Sequence, residues 1–313
     1  MRIVSYNVRY FGHGLKGLAS TAAGKSRIAA ALASLDPLPD VICLQEIENS
    51  SIRSGVAHRK HKAGETQLQA FMRHLGDQFH QRGLVMPYQP AYFPAHTYGV
   101  GKVKVYTTGL AVLVNAQSLQ VIGDNQSKPH PITFYGQRTL KKAKQTRIVA
   151  HLHLEDVRGR RFHVFNTHLS LPSVFRTGFW KSGPKMGHAP NQLEEARTVA
   201  DFAQQQAGNE PYIICGDFNS LPASPVYQYL TEQARLFGAQ EVLKQIDPTD
   251  PRSFATAGFM RLRMHLDHMF GGPGVEWGDL KGTERFGSPG PFHGLSDHVP
   301  LIASFDVRQS ISG

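Results

Sequence analysis

Six short apolar runs in this chain stop at, or start from, side chains that offer oxygen or imidazole ligands. The first closes on Asn7, and VICLQE closes on Glu46. VFNTH ends in Asn166 and His168, and PYIICGDFN runs into Asp217 and Asn219. HLDHMF carries Asp267, while Asp297 and His298 stand just before VPLIASFDV. Runs this apolar belong in a core, where an unpartnered carboxylate or amide is costly. If the runs are neighbouring strands, their ends gather these groups at one rim. Taken singly, each Asp or Asn reads as a cap or turn residue. Taken together, six such coincidences point to one site.

The local patterns support strands as the carriers. Residues 2–8 read as a strand, VICLQEI and GLAVLV (109–114) as buried strands, and PYIICGDF as another. Segments 147–154 and 161–168 flank the turn sequence Asp156-Val157-Arg158-Gly159 and predict a hairpin. HLDHMF and VPLIASFDV supply the last two strands. Helical spacing marks 25–35 (Ile28, Leu32, Leu35), the stretch from Leu68 to Phe79, and the stretch from Leu193 to Ala203. Strands outnumber helices and several are apolar on both faces. That predicts an α/β (α+β) architecture of stacked sheets with helices outside.

Hydrophobic residues are 41% of the 313, enough for a large core, and no repeat or low-complexity linker divides them, so one domain over 1–313 is expected. Long loops are expected at 48–65, 125–146, 170–191 and 271–295. Cys43 and Cys215 lie inside apolar runs and read as small buried hydrophobes, not as a disulfide framework. Met1 leads straight into a strand and no apolar run is long enough for a membrane span, so a cytoplasmic protein is expected. GKSR at 24–27 lacks the first glycine and the preceding strand of a phosphate loop, and is discarded. His58 and His61 have a metal-compatible spacing but no acid or cysteine companions.

Carboxylates and amide oxygens are hard ligands that suit Mg²⁺ or Mn²⁺. Clustered acids also repel each other unless a cation lies among them. On the motifs SYNVRYF (5–11), LQEIE (44–48), FNTHLS (165–170), GDFNSLPASPVY (216–227), LDHMF (266–270) and GLSDHVPL (294–301), the chain resembles the endonuclease/exonuclease/phosphatase superfamily. The resemblance implies a deoxyribonuclease I-like four-layer sandwich, two packed mixed β-sheets flanked by helices. It implies a divalent-metal-dependent phosphoesterase with Glu46, Asn7 and Asp297 at the main metal site. Asp217, Asn219 and His298 form the second side, Asp267 orients His298, and His168 contacts phosphate. Thr107-Thr108-Gly109-Leu110-Ala111 departs from the superfamily, many of whose members carry an acid-aromatic pair before that glycine. The acidic partner of His168 is therefore missing or supplied from elsewhere.

Substrate is expected to be set by the loops. The net charge is +10, and the basic residues cluster with aromatics. Arg53, His58, Arg59, Lys60, His61 and Lys62 lie in the first loop, and Lys128, Arg138, Lys141, Lys142, Lys144 and Arg147 in the second. Arg176, Lys181 and Lys185 interleave with Phe175, Phe179 and Trp180 in the third, and Arg252, Arg261 and Arg263 precede Asp267. Such a surface suits a polyanion whose bases can stack. A nuclease is the first expectation, with Asn166, His168, Arg138, Lys141, Lys142, Arg176 and Trp180 on the substrate side. A phosphoesterase of a lipid or small molecule is the second, and the only one that brings in a membrane. A non-catalytic binding protein of the same fold is the third. No stable protein partner is implied.

Overall fold

The computed structural model describes residues 1–11, 18–51, 65–100, 103–133, 146–172, 185–244, 254–259 and 262–308. The strands are β1 (Arg2–Asn7), β2 (Val41–Ser51), β3 (Tyr88–Val100), β4 (Val103–Asn115), β5 (Leu119–Asp124), β6 (His130–Pro131), β7 (Ile148–Asp156) and β8 (Arg161–His168). They continue as β9 (Tyr212–Asp217), β10 (Phe237–Gly238), β11 (Ala257–Phe259), β12 (Leu262–Met264), β13 (Asp267–Gly271), β14 (Val275–Trp277) and β15 (Leu301–Val307). Three longer helices accompany them: α1 (Leu18–Ala33), α2 (Gln67–His80) and α3 (Pro190–Ala207).

Among the described residues the strands form two large sheets and a small ribbon. One sheet has the order β14-β15-β1-β2-β4-β3. The other has the order β10-β13-β9-β8-β7-β5, with β6 on β7; β11 and β12 form the ribbon. Each large sheet is mixed in the same way. A parallel pair, β1 with β2 or β8 with β9, is flanked by antiparallel neighbours. A parallel pair needs a crossover, and α1 and α3 supply the two.

The period-2 alternation of side chains sorts the core into three layers. Ile3, Val41 and Cys43 meet Leu152, Val164, Ile213 and Cys215 between the sheets. Val4, Tyr6, Ile42 and Leu44 turn the other way, onto Ile28 and Leu32 of α1 and Phe71 and Leu75 of α2. Val149, Phe165 and Ile214 pack on Ala196, Val199 and Ala203 of α3. Burying one such side chain is worth about 1.5–3 kcal/mol, so every layer contributes to holding the next. A capping box starts α2: Thr66 Oγ1 accepts from Gln69 N–H while Gln69 Oε1 accepts from Thr66 N–H. The result is the expected α+β sandwich, and both cysteines are buried free thiols within it.

Several boundaries differ from the sequence expectation. Helix α1 begins seven residues early, and GKSR lies inside it. Strand β2 passes through Glu46 and on to Ser51, so the loop expected from 48 starts later. Strand β14 precedes the last strand and was hidden by its brevity. Most of the basic loops, including Arg138, Lys141, Lys142, Arg176 and Trp180, lie outside the described residues.

Gly216, one residue before Asp217, shows how closely the second parallel pair is packed. It adopts φ +148°, and a Cβ there would lie 2.0 Å from the Thr167 carbonyl oxygen of β8. Only the backbone of β8 could give way. We expect Gly216→Ala to cost about 2–3 kcal/mol. In urea unfolding the midpoint should fall with the slope unchanged, and an unaltered midpoint would contradict the close approach.

Candidate active site

Because both parallel pairs point the same way along their sheets, their C-terminal ends share a rim. Asn7 ends β1, His168 ends β8 and Asp217 ends β9. Antiparallel β13 begins beside β9, with Asp267 opposite Asp217. Antiparallel β15 begins at Leu301 opposite Ser5, which brings Asp297 and His298 to the same end. Glu46 reaches the rim differently. It sits in a register shift between Leu44 and Ile47 of β2, with φ 57°. A bulge re-aims a side chain without ending its strand. Arg9, Tyr10, Phe11 and Asn219 also take left-handed φ values of 41–55°. Residues held in sparsely populated backbone wells gather where geometry matters more than comfort.

The side chains form one connected network. Asn7 Nδ2 donates to Asp217 Oδ2 at 3.0 Å and to Glu46 Oε1 at 3.3 Å, so one amide touches carboxylates from both sheets. Asp217 Oδ1 accepts from Asn219 N–H at 2.9 Å. His298 Nδ1 bonds Asp267 Oδ2 at 2.8 Å, and its Nε2 lies 3.7 Å from Asp217 Oδ2. Thr256 Oγ1 donates to that same Asp267 oxygen at 2.6 Å while accepting from Leu266 and Asp267 N–H. Arg9 pairs with Asp297 at 2.7 Å. One N–H of Asn219 Nδ2 is taken by the Leu169 carbonyl at 2.9 Å, which leaves its other N–H and Oδ1 for the cleft.

His168 acquires a partner of unexpected charge. Arg147 Nη1 donates to His168 Nδ1 at 2.9 Å, so the nitrogen for which the sequence left an acidic partner missing or supplied from elsewhere is held by a guanidinium. Nδ1 is thereby the acceptor, and the ring proton resides on Nε2. That nitrogen lies 3.5 Å from Asp217 Oδ2 and 4.0 Å from Glu46 Oε1. The signal was present in the hairpin: Val149 pairs with Thr167, so the residues before β7 flank the end of β8. The buried Arg147 Nε–H has no hydrogen-bond partner among the described residues.

Around this network lies a cleft of about 330 Å³. Arg9, Arg147, Glu46, His168, Asp217, Asn219, Asp297 and His298 form its polar side; Leu171, Met186, Met264 and Leu266 form an apolar wall. Thus Glu46, His168, Asp217, Asn219, Asp297 and His298 all reach one cleft, with Asn7 and Asp267 immediately behind. Asn166 must be corrected. It is fully buried between the sheets, where Nδ2 donates to the carbonyls of Leu44 and Ala111 and Oδ1 accepts from Gln45 Nε2. No polar end remains for a substrate. Arg263 packs over the Phe286 ring, 5.0 Å from its centroid, and is absent from the lining. Sequence reasoning missed Arg9 and Thr256; Arg9 follows Asn7 closely, whereas nothing in the sequence ties Thr256 to Asp267.

The two imidazoles are driven to opposite states. Burial, then Arg147 and His298, hold His168 well below the usual histidine range. Burial also acts to lower His298, but the carboxylates of Asp267 and Asp217 outweigh it and hold this ring up at about 10. Burial pushes Asp217 up to about 7 against the attraction of His298, and burial likewise raises Glu46. Carboxylates that resist ionisation this way suit a divalent cation, whose charge would offset their desolvation. The all-oxygen donors Glu46, Asp217 and Asp297, with Asn7 and Asn219, match the chemistry of Mg²⁺ or Mn²⁺.

Asp217 and His298 both hold protons more tightly in the fold than in the unfolded chain. The stability they contribute is complete below the unfolded values and is lost as pH rises, from 3.8 to about 7 for Asp217 and from 6.5 to about 10 for His298. With a chelator present, the melting temperature should fall between pH 5 and pH 9. Added Mg²⁺ should raise it more at the alkaline end, since binding releases protons. A Mg²⁺ effect equal at both ends would contradict this charge distribution.

The chain matches the Endonuclease/Exonuclease/phosphatase family over residues 4–298. It is 26% identical to Nocturnin of Drosophila melanogaster over 193 residues, which are 60% of this chain and 23% of that protein. The chain therefore spans about a quarter of that relative's length. Among solved structures, the human Nocturnin catalytic domain with a bound sulfate anion superposes with a TM-score of 0.61 at 19% identity, covering 98% of this chain and 93% of that one. The mannosyl-6-phosphatase Bt3783 of Bacteroides thetaiotaomicron VPI-5482 gives a TM-score of 0.60 at 17% identity, covering 98% and 99%. The match over nearly the whole sequence places the chain in the endonuclease/exonuclease/phosphatase family.

Proposed function

We propose that this protein is a divalent-metal-dependent phosphodiesterase that cleaves nucleic acid. The observation that carries the phosphodiesterase reading is the chain Asp267–His298–Asp217, set beside Glu46 and Asp297 in a cleft that also presents two guanidinium groups. Mg²⁺ or Mn²⁺ held by Glu46, Asp297, Asp217, Asn7 and Asn219 would polarise the phosphoryl oxygen and neutralise its charge. Asp267 and Thr256 fix the His298 ring so that Nε2 faces Asp217. That pair shares one proton environment and acts as a unit in taking the proton of the attacking water. Asn219 offers its free N–H to a phosphate oxygen. His168, kept neutral with its proton on Nε2, serves the leaving oxygen as a hydrogen-bond donor.

Support for a diester in a polyanion comes from Arg9 and Arg147 at the cleft and from the net charge of +10. The apolar wall of Leu171, Met186, Met264 and Leu266 suits the face of a base or sugar. We assign Arg138, Lys141, Lys142, Arg176 and Trp180 to the flanking polyanion contacts on their composition. A second reading, a phosphatase of a phosphorylated sugar or another small molecule, is favoured by the modest cleft and by the structural likeness to the mannosyl-6-phosphatase.

The two readings separate in a panel of plasmid, single-stranded DNA, RNA, phosphosugars, sphingomyelin and phosphoinositides, each with Mg²⁺, Mn²⁺ or EDTA. Nucleic-acid cleavage lost in EDTA is expected, and turnover of phosphosugar or lipid alone would replace the nuclease reading. Asp217→Ala and His298→Ala should each lower the rate at least about 100-fold with the circular dichroism unchanged. Wild-type rates in either would remove the residue from the chemistry. Arg147→Met should lower kcat by about 10–100-fold and raise the His168 pKa in an NMR titration. An unmoved His168 titration would show that Arg147 does not set its proton.

A further inference from the structure

On the outer face of the second sheet, far from the cleft, three side chains converge in a different chemistry. His153 of β7 and His163 of β8 are direct cross-strand partners. Their rings lie parallel, 4.1 Å apart with an interplanar angle of 7°. Both Nε2 atoms meet one oxygen, Glu210 Oε2, at 2.7 Å from His153 and 2.9 Å from His163. Glu210 comes from the turn into β9, which is tied to β8 by the bond from His163 N–H to the Pro211 carbonyl. We propose that His153, His163 and Glu210 form a transition-metal site that takes Zn²⁺ or a similar first-row divalent ion.

Four observations carry this. First, the three ligand atoms lie within 4.8 Å of one another, a spacing one ion can span with minor side-chain adjustment. Second, His163 Nε2 is hydrogen-bonded to Glu210 Oε2, while the buried His153 Nε2 approaches the same oxygen at 2.7 Å outside hydrogen-bond geometry, so two imidazole nitrogens already converge on one carboxylate oxygen. Third, the support expected behind a metal-binding imidazole is in place. His163 Nδ1 lies 2.8 Å from Nε2 of His151, itself buried and stacked on Phe165 at 4.5 Å. With Nε2 of His163 on a metal, its Nδ1–H donates to His151, which fixes both tautomer and ring angle. Fourth, the neighbouring Arg161 makes its ion pair with Glu155, at 2.7 Å, while Glu210 pairs with the two imidazoles.

The ligand set selects the ion. Two imidazole nitrogens are borderline donors that, with a single carboxylate beside them, favour Zn²⁺ over Mg²⁺, unlike the oxygen-rich rim. The site is separate from the cleft. His163 precedes His168 by five residues, roughly 16 Å along the strand, and faces the opposite side of the sheet. An ion here would clasp the β7–β8 hairpin to the segment leading into β9, which carries Asp217.

The test uses the full chain in excess Mg²⁺, titrated with Zn²⁺ by calorimetry and with Co²⁺ by visible absorption. We expect about one equivalent of Zn²⁺ at micromolar affinity or tighter, and a higher melting temperature. His153→Ala and Glu210→Gln should each weaken Zn²⁺ binding at least about 100-fold, and His151→Phe about 10–100-fold, with Mg²⁺-dependent turnover unchanged. Glu210→Gln is the sharper variant, because an amide oxygen still accepts hydrogen bonds and a merely hydrogen-bonded cluster would tolerate it. Asp217→Ala should retain the Zn²⁺ equivalent. Absence of binding in the wild type, unchanged affinity in both His153→Ala and Glu210→Gln, or loss of the equivalent with Asp217→Ala would each overturn the proposal.

Discussion

Amide side chains join the two sheets at the rim that carries the candidate site. Asn7 from the first sheet holds Asp217 from the second. Below it, Asn166 from the second sheet donates to two carbonyls of the first and accepts from Gln45. These bonds cross a layer otherwise filled mainly by apolar side chains. Apolar packing sets a separation but tolerates sliding, whereas a satisfied buried amide tolerates little. The mutual position of Glu46 and Asp217, one from each sheet, depends on that clasp.

Given such a rim, environment divides labour among like residues. His168 and His298 lie on either side of Asp217, within 3.5 and 3.7 Å of it. One is backed by a guanidinium and stays neutral; the other is backed by a carboxylate and holds its proton. A site can thereby present a donor and a proton-accepting pair at one pH from the same residue type. The Asp267–Thr256 bond belongs to this scheme, since it fixes the carboxylate that fixes the ring.

The rim was legible in the sequence because strand ends were. Apolar runs such as VICLQE and PYIICGD announce both a buried strand and the polar residue that terminates it. What the linear pattern could not weigh was which polar residue turns inward. Asn166 and His168 alternate with Thr167 on one strand and share a face, yet the first is consumed between the sheets and the second reaches the cleft. Arg147 was visible only as part of a basic stretch, because its role depends on hairpin register and not on composition. Thr256 pairs with Asp267 through a contact eleven residues away that no periodicity encodes.

The irregularity in β2 has a consequence for how this fold tolerates change. Along a strand, successive side chains face opposite sides, so the count of residues between Leu44 and Ile47 decides whether the carboxylate of Glu46 looks into the cleft or toward the helices. Removing one residue there would leave the sandwich able to form and its core nearly intact, while swinging the acid out of reach of Asn7. The register of β2 shifts twice, between Leu44 and Ile47 and again between Glu48 and Ser50, and the first of these steps is the one that aims Glu46.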